Sequence, residues 1–244
     1  MKDFFKNVLA TVVGIILTFV IMGIFGIMGI IGMVASTEQS KNVEDNSVLV
    51  LNMTGTLSER AESNPFSDIM GKVAKSNGLD DILKAIEKAK DNDKIKGIYI
   101  EAGLFSPDSY ASLQAIRRAL SDFKKSGKWI VAYGDSYTQG VYYLASVADK
   151  LYINPQGQID WHGIAAERMY MKDLMAKFGV KMQVTKVGTY KSATEQFTND
   201  KMSDADREQT TAIINGVWKN VVNEVAASRK LTAAKLNSYA DSLI

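Results

Sequence analysis

The 244-residue sequence contains no cysteine and a single histidine, and each scarcity excludes a class of function. Without cysteine the chain can form no disulfide, no thiolate zinc site and no cysteine nucleophile. A serine–histidine–aspartate triad would have to be built on His162. The net charge of +2 is nearly balanced, and no basic stripe alternates with aromatic residues, so we expect no nucleic-acid partner. We also expect neither a metal ion nor an organic cofactor.

Charge is also missing from a long stretch near the N-terminus, between Val8 and Ala35. As a helix this stretch would be about 42 Å long at ~1.5 Å per residue, which exceeds the ~30 Å hydrocarbon core of a bilayer. It is also about twice as long as the ~7–15-residue apolar region of a cleaved signal peptide, and no good cleavage site follows it. We therefore predict an uncleaved transmembrane signal anchor at residues 8–35.

Charged residues flank the predicted anchor asymmetrically. Basic residues precede it and acidic residues follow it: Lys2, Lys6, Glu38, Glu44 and Asp45. The positive-inside rule then places residues 1–7 in the cytoplasm and the rest of the chain on the other side of the membrane. We predict a single-pass protein of the bacterial inner (cytoplasmic) membrane, with a polar tether at 36–46 and an extracytoplasmic domain at 47–244.

Strand-like and helix-like patterns alternate through the predicted domain. Runs rich in β-branched and aromatic residues predict strands at 47–53, 95–101, 129–133 and 150–153, and residues 181–187 are predicted to be extended. Segments with apolar residues at helical spacing lie between the strands. A long helix after Ser203 is predicted to bury Ile213, Ile214, Val217, Val221 and Val225. This alternation predicts an α/β domain with a mainly parallel sheet.

Two segments of the domain carry a specific resemblance. The first runs from Gly140 to Gly157 and has a Tyr-Tyr pair near its start. The second runs Val187-Gly188-Thr189-Tyr190-Lys191-Ser192-Ala193 and continues to Glu195 and Phe197. Together they resemble the N-terminal half of the long form of the signal peptide peptidase A family, also called protease IV. The likeness extends in order from about Ser47 to Ile244.

The resemblance implies both a fold and an activity. The implied fold is similar to the Clp protease and crotonase superfamily, an α/β domain of repeated strand-strand-helix units, here preceded by one transmembrane helix. The implied activity is that of a serine protease whose N-terminal half supplies a lysine base and whose C-terminal half supplies the serine. The family lysine stands in a Gly-x-Tyr-Lys-Ser segment, which assigns it to Lys191. The implied partners are remnant signal peptides as substrates, the membrane, further copies in a homo-oligomer, and the missing C-terminal half.

Lys191 can act as a base only while its amine is neutral. A lysine in water has a pKa near ~10.4, and desolvation lowers it by up to ~3–5 in a fully buried site. A neutral amine can then take the proton of a serine hydroxyl. We expect Tyr190, Val187 and Phe197 to supply apolar surroundings. Glu195 and Asp200 are expected to be surface residues, because a carboxylate beside the amine would favour its protonated form.

The sequence departs from a complete enzyme where short members of the family have their serine, about three residues before the Tyr-Tyr pair. Gln139 occupies that position. Residues 102–107 form a degenerate version of the glycine-rich turn that offers N–H groups to an oxyanion. We interpret Ser136 as a turn residue, Ser192 as a local hydrogen-bonding partner and His162 as structural. We therefore expect no hydrolysis by these 244 residues alone, and interpret them as a fragment or truncated chain.

Two other functions stay open beside the leading one. A catalytically silent, membrane-anchored scaffold or binding domain would fit Gln139 and the absent half. A crotonase-like acyl-CoA enzyme would share the fold, but the anchor and the Lys191 motif argue against it. The leading interpretation is a membrane-anchored serine endopeptidase that degrades remnant signal peptides with a Ser-Lys dyad.

Overall fold

The structure is a computed structural model that describes residues 2–37, 43–61 and 76–242. The chain divides into two compact units, one ending at Glu44 and the other beginning at Asp45. The units are considered separately below.

The first unit contains one long helix, α1 (Lys2–Thr37). Its apolar side chains from Phe4 to Met28 are exposed, and the part from Lys2 to Gly29 is long and apolar enough to cross a membrane. The predicted span at 8–35 falls within the helix. Residues 38–42 of the predicted tether lie outside the described residues.

The second unit alternates strands and helices along the chain. Its elements are β1 (Ser47–Ser58), β2 (Ser76–Gly78), α2 (Leu79–Asp91), β3 (Ile95–Ser106), α3 (Tyr110–Lys124), β4 (Trp129–Tyr137), α4 (Gln139–Ala145), β5 (Lys150–Ile159), α5 (Lys172–Lys177), α6 (Glu195–Thr198), α7 (Asp204–Arg229) and α8 (Ala233–Asp241). The strands form one parallel sheet in the order β2-β1-β3-β4-β5. The predicted α/β domain with a parallel sheet is confirmed.

The core follows from the apolar pattern of the central strands and of helix α3. Ile98 and Ile100 on β3 and Ile130 on β4 are buried. Helix α3 buries four large side chains at helical spacing: Leu113, Ile116, Leu120 and Phe123. Burying one such side chain stabilises a fold by about 1.5–3 kcal/mol. Ser109 caps the start of the helix, because its hydroxyl oxygen accepts the N–H of Ser112 at 3.2 Å.

The strands continue further than predicted, because irregularities bend them instead of ending them. The β1–β3 register shifts between Met53 and Gly55, where Gly55 has a φ of +75° that favours glycine. The β4–β5 register shifts between Gly134 and Ser136. Strands β1 and β4 therefore each change register partway along their length.

Helix α7 agrees with the prediction in its cap and in its second half. The Ser203 hydroxyl oxygen accepts the N–H of Asp206 at 3.2 Å, as the capping pattern indicates. Val221 and Val225 are buried, but Ile213 is exposed, so the prediction of a continuous buried face is wrong. Beyond its first turn, helix α7 buries residues only in its second half.

Candidate active site

Lys191 lies in the loop between α5 and α6. The chain turns at Gly188, whose φ of +96° is unfavourable for other residues. Lys191 is exposed and lines a cavity of about 810 Å³, the Lys191 cavity, together with Val187 and Tyr190. The structure thus brings two of the three predicted apolar neighbours to the lysine. The third, Phe197, is half-buried and does not line the cavity.

The described residues leave the Lys191 cavity open to water. Val187 is 86% exposed and Tyr190 is 51% exposed. The Tyr190 hydroxyl donates to a carboxylate oxygen of Glu208 at 3.0 Å, and this hydrogen bond raises the pKa of Tyr190. The described residues therefore do not provide the expected shielding of the amine.

Two other cations line the Lys191 cavity, and each has its own carboxylate. Arg168 donates to both carboxylate oxygens of the fully buried Asp206, at 2.8 and 2.7 Å. Lys186 Nζ lies 3.6 Å from Glu195 Oε1. Lys191 forms no ion pair within the part of the chain that the structure describes. Of the three cations in the cavity, Lys191 is thus the one without a carboxylate partner among the described residues.

Glu195 is buried, so the prediction that it is a surface residue is wrong. Its carboxylate accepts the Ser203 hydroxyl at 2.9 Å and the Ser203 backbone N–H at 3.3 Å, which ties the loop to the start of α7. Its own N–H donates to the carbonyl of the buried Ser192 at 2.9 Å. Asp200 is exposed as expected and pairs with Lys172 at 2.9 Å. Both carboxylates nearest to the amine in sequence therefore have other partners.

Gln139, which the resemblance predicts to occupy the nucleophile position, is buried and hydrogen-bonded through both ends of its amide. Its Nε2 donates to Tyr110 Oη at 2.8 Å and to the Gly163 carbonyl at 2.9 Å. Its Oε1 accepts the N–H of His162 at 3.0 Å and of Gly163 at 2.9 Å. The side chain thus fixes the turn at 162–163 against the start of α4. Gln139 has a structural role that the sequence pattern did not reveal.

The remaining candidate residues do not assemble a second catalytic group. Both ring nitrogens of His162 are engaged: Nδ1 lies 2.9 Å from the Gly163 carbonyl oxygen and Nε2 lies 3.3 Å from Asp160 Oδ2. No hydrogen bond joins His162 to Ser136 within the described residues. Residues 102–106 continue strand β3 and pair with β1, so they form no open turn of N–H groups. No group of three histidine or carboxylate side chains suited to a metal ion occurs among the described residues.

The sequence matches a known peptidase family. A family profile described as Peptidase family S49 matches residues 122–244. The chain is 37% identical over 204 residues to "Protease 4" of Salmonella typhi and 34% identical over 200 residues to "Protease 4" of Haemophilus influenzae, in each case over 80% of this chain. It is 25% identical over 186 residues, or 76% of this chain, to "Serine protease SPPA, chloroplastic" of Arabidopsis thaliana. The chain spans only 33%, 32% and 26% of the length of these three relatives.

A solved structure shows a weaker likeness. An enoyl-CoA hydratase/isomerase family protein from Silicibacter pomeroyi aligns over 80% of this chain and 94% of that chain. The TM-score is 0.34 and the sequence identity is 13%. A likeness this distant carries no argument about the activity or the site.

Proposed function

Because the chain belongs to peptidase family S49, we propose that it is the lysine-bearing half of a membrane-anchored serine endopeptidase, with Lys191 as the general base. The nucleophilic serine comes from a second, C-terminal half, since the corresponding position here is Gln139. One observation carries this proposal: of the three cations lining the Lys191 cavity, Arg168 and Lys186 have carboxylate partners and Lys191 has none among the described residues. The fold alone does not support the alternative of a crotonase-like acyl-CoA enzyme.

The pairing pattern fits what a general base requires. A carboxylate beside an amine favours its protonated form, which cannot accept a proton. Asp206 and Glu195 neutralise the two neighbouring cations without contacting Lys191. The amine of Lys191 is therefore the one left to meet a serine hydroxyl. It would accept the hydroxyl proton during attack and return it to the leaving amine of the peptide.

In this proposal the second half also supplies the missing shield. Val187 and Tyr190 are exposed apolar surface beside the amine, and their burial in a contact would stabilise that contact. The same contact removes water from the cavity, and desolvation favours the neutral form of a lysine. The joining of the two halves would then both complete the Ser-Lys dyad and activate its base.

Helix α1 suggests where the enzyme works. Residues 8–35 span the bacterial inner membrane in our proposal, with residues 1–7 in the cytoplasm and the protease domain from residue 47 outside it, beyond a tether at 36–46. Remnant signal peptides are apolar segments left in that membrane, so they are the proposed substrates. A homo-oligomer that encloses the sites would restrict access to short or unfolded chains.

The test uses the chain joined to its C-terminal half and compares two matched substitutions in the Lys191 cavity. Arginine keeps the positive charge but does not deprotonate, so Lys191→Arg should lower kcat/KM for peptide hydrolysis by about 10²–10⁴-fold. Lys186→Arg keeps the ion pair with Glu195 and should stay close to wild type. Wild-type hydrolysis by Lys191→Arg would exclude the proposed role. Hydrolysis by the 244-residue chain alone would contradict the division of the dyad between two halves.

A second candidate function is peptide binding without catalysis by these 244 residues. The observation that favours it is the amide of Gln139, whose four hydrogen bonds fill the nucleophile position with a structural group. The two functions differ in their response to the second half. Hydrolysis restored by that half, and abolished by Lys191→Arg, favours the protease.

A further inference from the structure

A second cavity, of about 890 Å³, lies at the carboxyl ends of strands β3, β4 and β5. Leu104, Tyr137 and Ile159 line it from those three strands, and Leu236 and Tyr239 line it from helix α8. We call it the aromatic cavity. It shares no lining residue with the Lys191 cavity. In open parallel sheets, the crevice outside the carboxyl ends of the strands is where ligands bind.

The aromatic side chains around this cavity are held by other parts of the fold. The ring of Tyr142 contacts the rings of Tyr137 and Trp161 edge-on, at centroid distances of 6.4 and 5.6 Å. Trp161 Nε1 donates to the Leu236 carbonyl at 2.9 Å, and Tyr137 Oη donates to the Tyr152 carbonyl at 2.9 Å. Burial raises the pKa of Tyr137 to about 12, so its ring stays neutral. The ring of Tyr137 is itself buried, so the ring surface left to contact a ligand is that of the half-buried Tyr142, Trp161 and Tyr239.

The charges around the cavity select the kind of ligand. Its described lining residues include no lysine or arginine, and the carboxylate of Asp160 lies among them. A phosphate, a coenzyme A or a fatty-acid carboxylate would therefore meet no lysine or arginine in the lining and would meet the carboxylate of Asp160. Two basic side chains border this carboxylate and the rings: His162 Nε2 lies 3.3 Å from Asp160 Oδ2, and Lys235 Nζ lies 4.9 Å from the centroid of the Tyr239 ring. A neutral apolar side chain meets no such penalty.

An open strand edge adjoins the same cavity. Within the described ranges, β5 is the last strand of the sheet and pairs with β4 alone. The N–H of Asp160 donates to the Tyr137 carbonyl at 2.7 Å and so points towards β4. Successive residues of a strand direct their backbone groups to opposite sides, so the N–H and C=O of Ile159 point to the open edge. Ile159 therefore offers a backbone donor and acceptor beside the cavity that its side chain helps to line.

We propose that the aromatic cavity and the Ile159 edge form a non-catalytic binding site for an extended apolar peptide. The peptide backbone pairs with Ile159, and one large apolar side chain enters the cavity. Strand addition supplies affinity through backbone hydrogen bonds, while a side-chain pocket supplies selectivity. The class of ligand rests on the proposed function, and the site gives the lysine-bearing half a means of holding substrate away from the hydrolytic centre.

The test measures binding of a fluorescent, neutral peptide rich in leucine and phenylalanine to the 244-residue chain in lipid nanodiscs, by fluorescence anisotropy. Ile159→Pro removes the outward N–H and leaves the β4 ladder intact, because proline is tolerated where an edge N–H faces away from the sheet. Leu231→Asp places a charge in the lining of the cavity. Each substitution should weaken binding by about tenfold or more, since each removes or penalises a contact worth about 1–2 kcal/mol.

The controls separate the site from general surface effects. Ile159→Val keeps the backbone donor, and Ile213→Asp adds the same charge on an exposed apolar residue of α7 outside the cavity, so both should bind like wild type. Wild-type affinity in both Ile159→Pro and Leu231→Asp would overturn the inference, as would displacement of the peptide by laurate. This assay involves no hydrolysis, so its failure leaves the role of Lys191 standing. A failed Lys191→Arg test likewise leaves the binding result standing.

Discussion

The two segments that resemble the peptidase family are held in opposite ways. The first, from Gly140 to Gly157, begins inside the domain: the preceding residue, Gln139, is buried, and Tyr143 is buried and bonded to Glu224 of helix α7. The second places Lys191 on the surface of an open cavity. The segment after Gln139 is packed inside the domain, whereas Lys191, the proposed base, is exposed to water. Four substitutions test this contrast.

The largest expected effect is the loss of Arg117, which ties the first segment to α7. Its guanidinium is buried, donates to the Tyr143 carbonyl and to Ser146 Oγ, and lies 3.1 Å from Glu224 Oε2. Burial lowers the pKa of Arg117, but the neighbouring carboxylate and carbonyl groups require the charged form. Arg117→Met should lower the free energy of unfolding in urea by about 3–5 kcal/mol, because it leaves those groups unpaired.

The matched control is the next residue on the same helix. Arg118 is exposed, so Arg118→Met should change the free energy of unfolding by less than about 0.5 kcal/mol. Equal losses for Arg117→Met and Arg118→Met would show that the buried network is not what holds the first segment.

The next effect concerns Gln139. Gln139→Leu keeps an apolar stem of similar size but leaves four polar groups around the 162–163 turn without their partner. We expect the free energy of unfolding in urea to fall by about 2–3 kcal/mol. Water that reaches the turn would replace part of the lost hydrogen bonding. Gln156→Leu, at an exposed position of β5, is the control and should be near neutral. A near-neutral Gln139→Leu would remove the structural role of this amide.

A smaller effect depends on pH and involves Asp149, which follows α4. Burial alone would raise the pKa of Asp149, but hydrogen bonds from Lys124 and from the Ile130 N–H outweigh it and the pKa is lowered. A carboxyl with a lowered folded pKa stabilises the fold above its unfolded value, near ~3.9, and loses this contribution as the pH falls through the folded value. Since the side chain is 41% exposed, solvent screening keeps the contribution below about 1 kcal/mol.

The measurement is urea unfolding of wild type and Asp149→Asn at pH 7 and pH 3. The stability difference between the two proteins should shrink at pH 3, where the wild-type carboxylate begins to take up a proton. An unchanged difference at the two pH values would assign the effect to packing instead of charge.

The smallest effect is expected at Lys191 itself. Its side chain is exposed and forms no ion pair in the part of the chain that is described, so Lys191→Ala should alter urea unfolding by less than about 0.5 kcal/mol. Together with lost hydrolysis in the joined protein, this would identify a residue that serves chemistry and not the fold. A loss above about 1 kcal/mol would instead make Lys191 structural.

Local signals predicted much of the fold. The four main strands start where the apolar runs start, at Ser47, Ile95, Trp129 and Lys150. The cap at Ser203 also follows its sequence pattern. The ends of the strands could not be predicted in this way, because a β-bulge lengthens a strand without changing its residue types. Residues 181–187 were predicted to be extended, but they pair with no described strand.

The candidate site was predictable in its motif but not in its surroundings. The Gly-x-Tyr-Lys-Ser pattern gave Lys191, whose catalytic role stays a prediction. The sequence did not indicate that Glu195 is buried, since Ser203, the partner that satisfies its carboxylate, lies eight positions further along the chain. The pairing of Arg168 with Asp206 joins residues 38 positions apart and is likewise invisible to local periodicity. Long-range partners of charged groups are set by the fold, and single-residue patterns do not encode them.

The amide of Gln139 has a consequence for protein engineering. A designer who restores serine at this position to obtain a second reaction centre would exchange a long side chain with two donor hydrogens for a short hydroxyl. The substitution that introduces the nucleophile would therefore also remove the hydrogen bonds that hold the backbone at 162–163. Gaining chemistry in this half therefore calls for a rebuilt turn first, and the serine only afterwards.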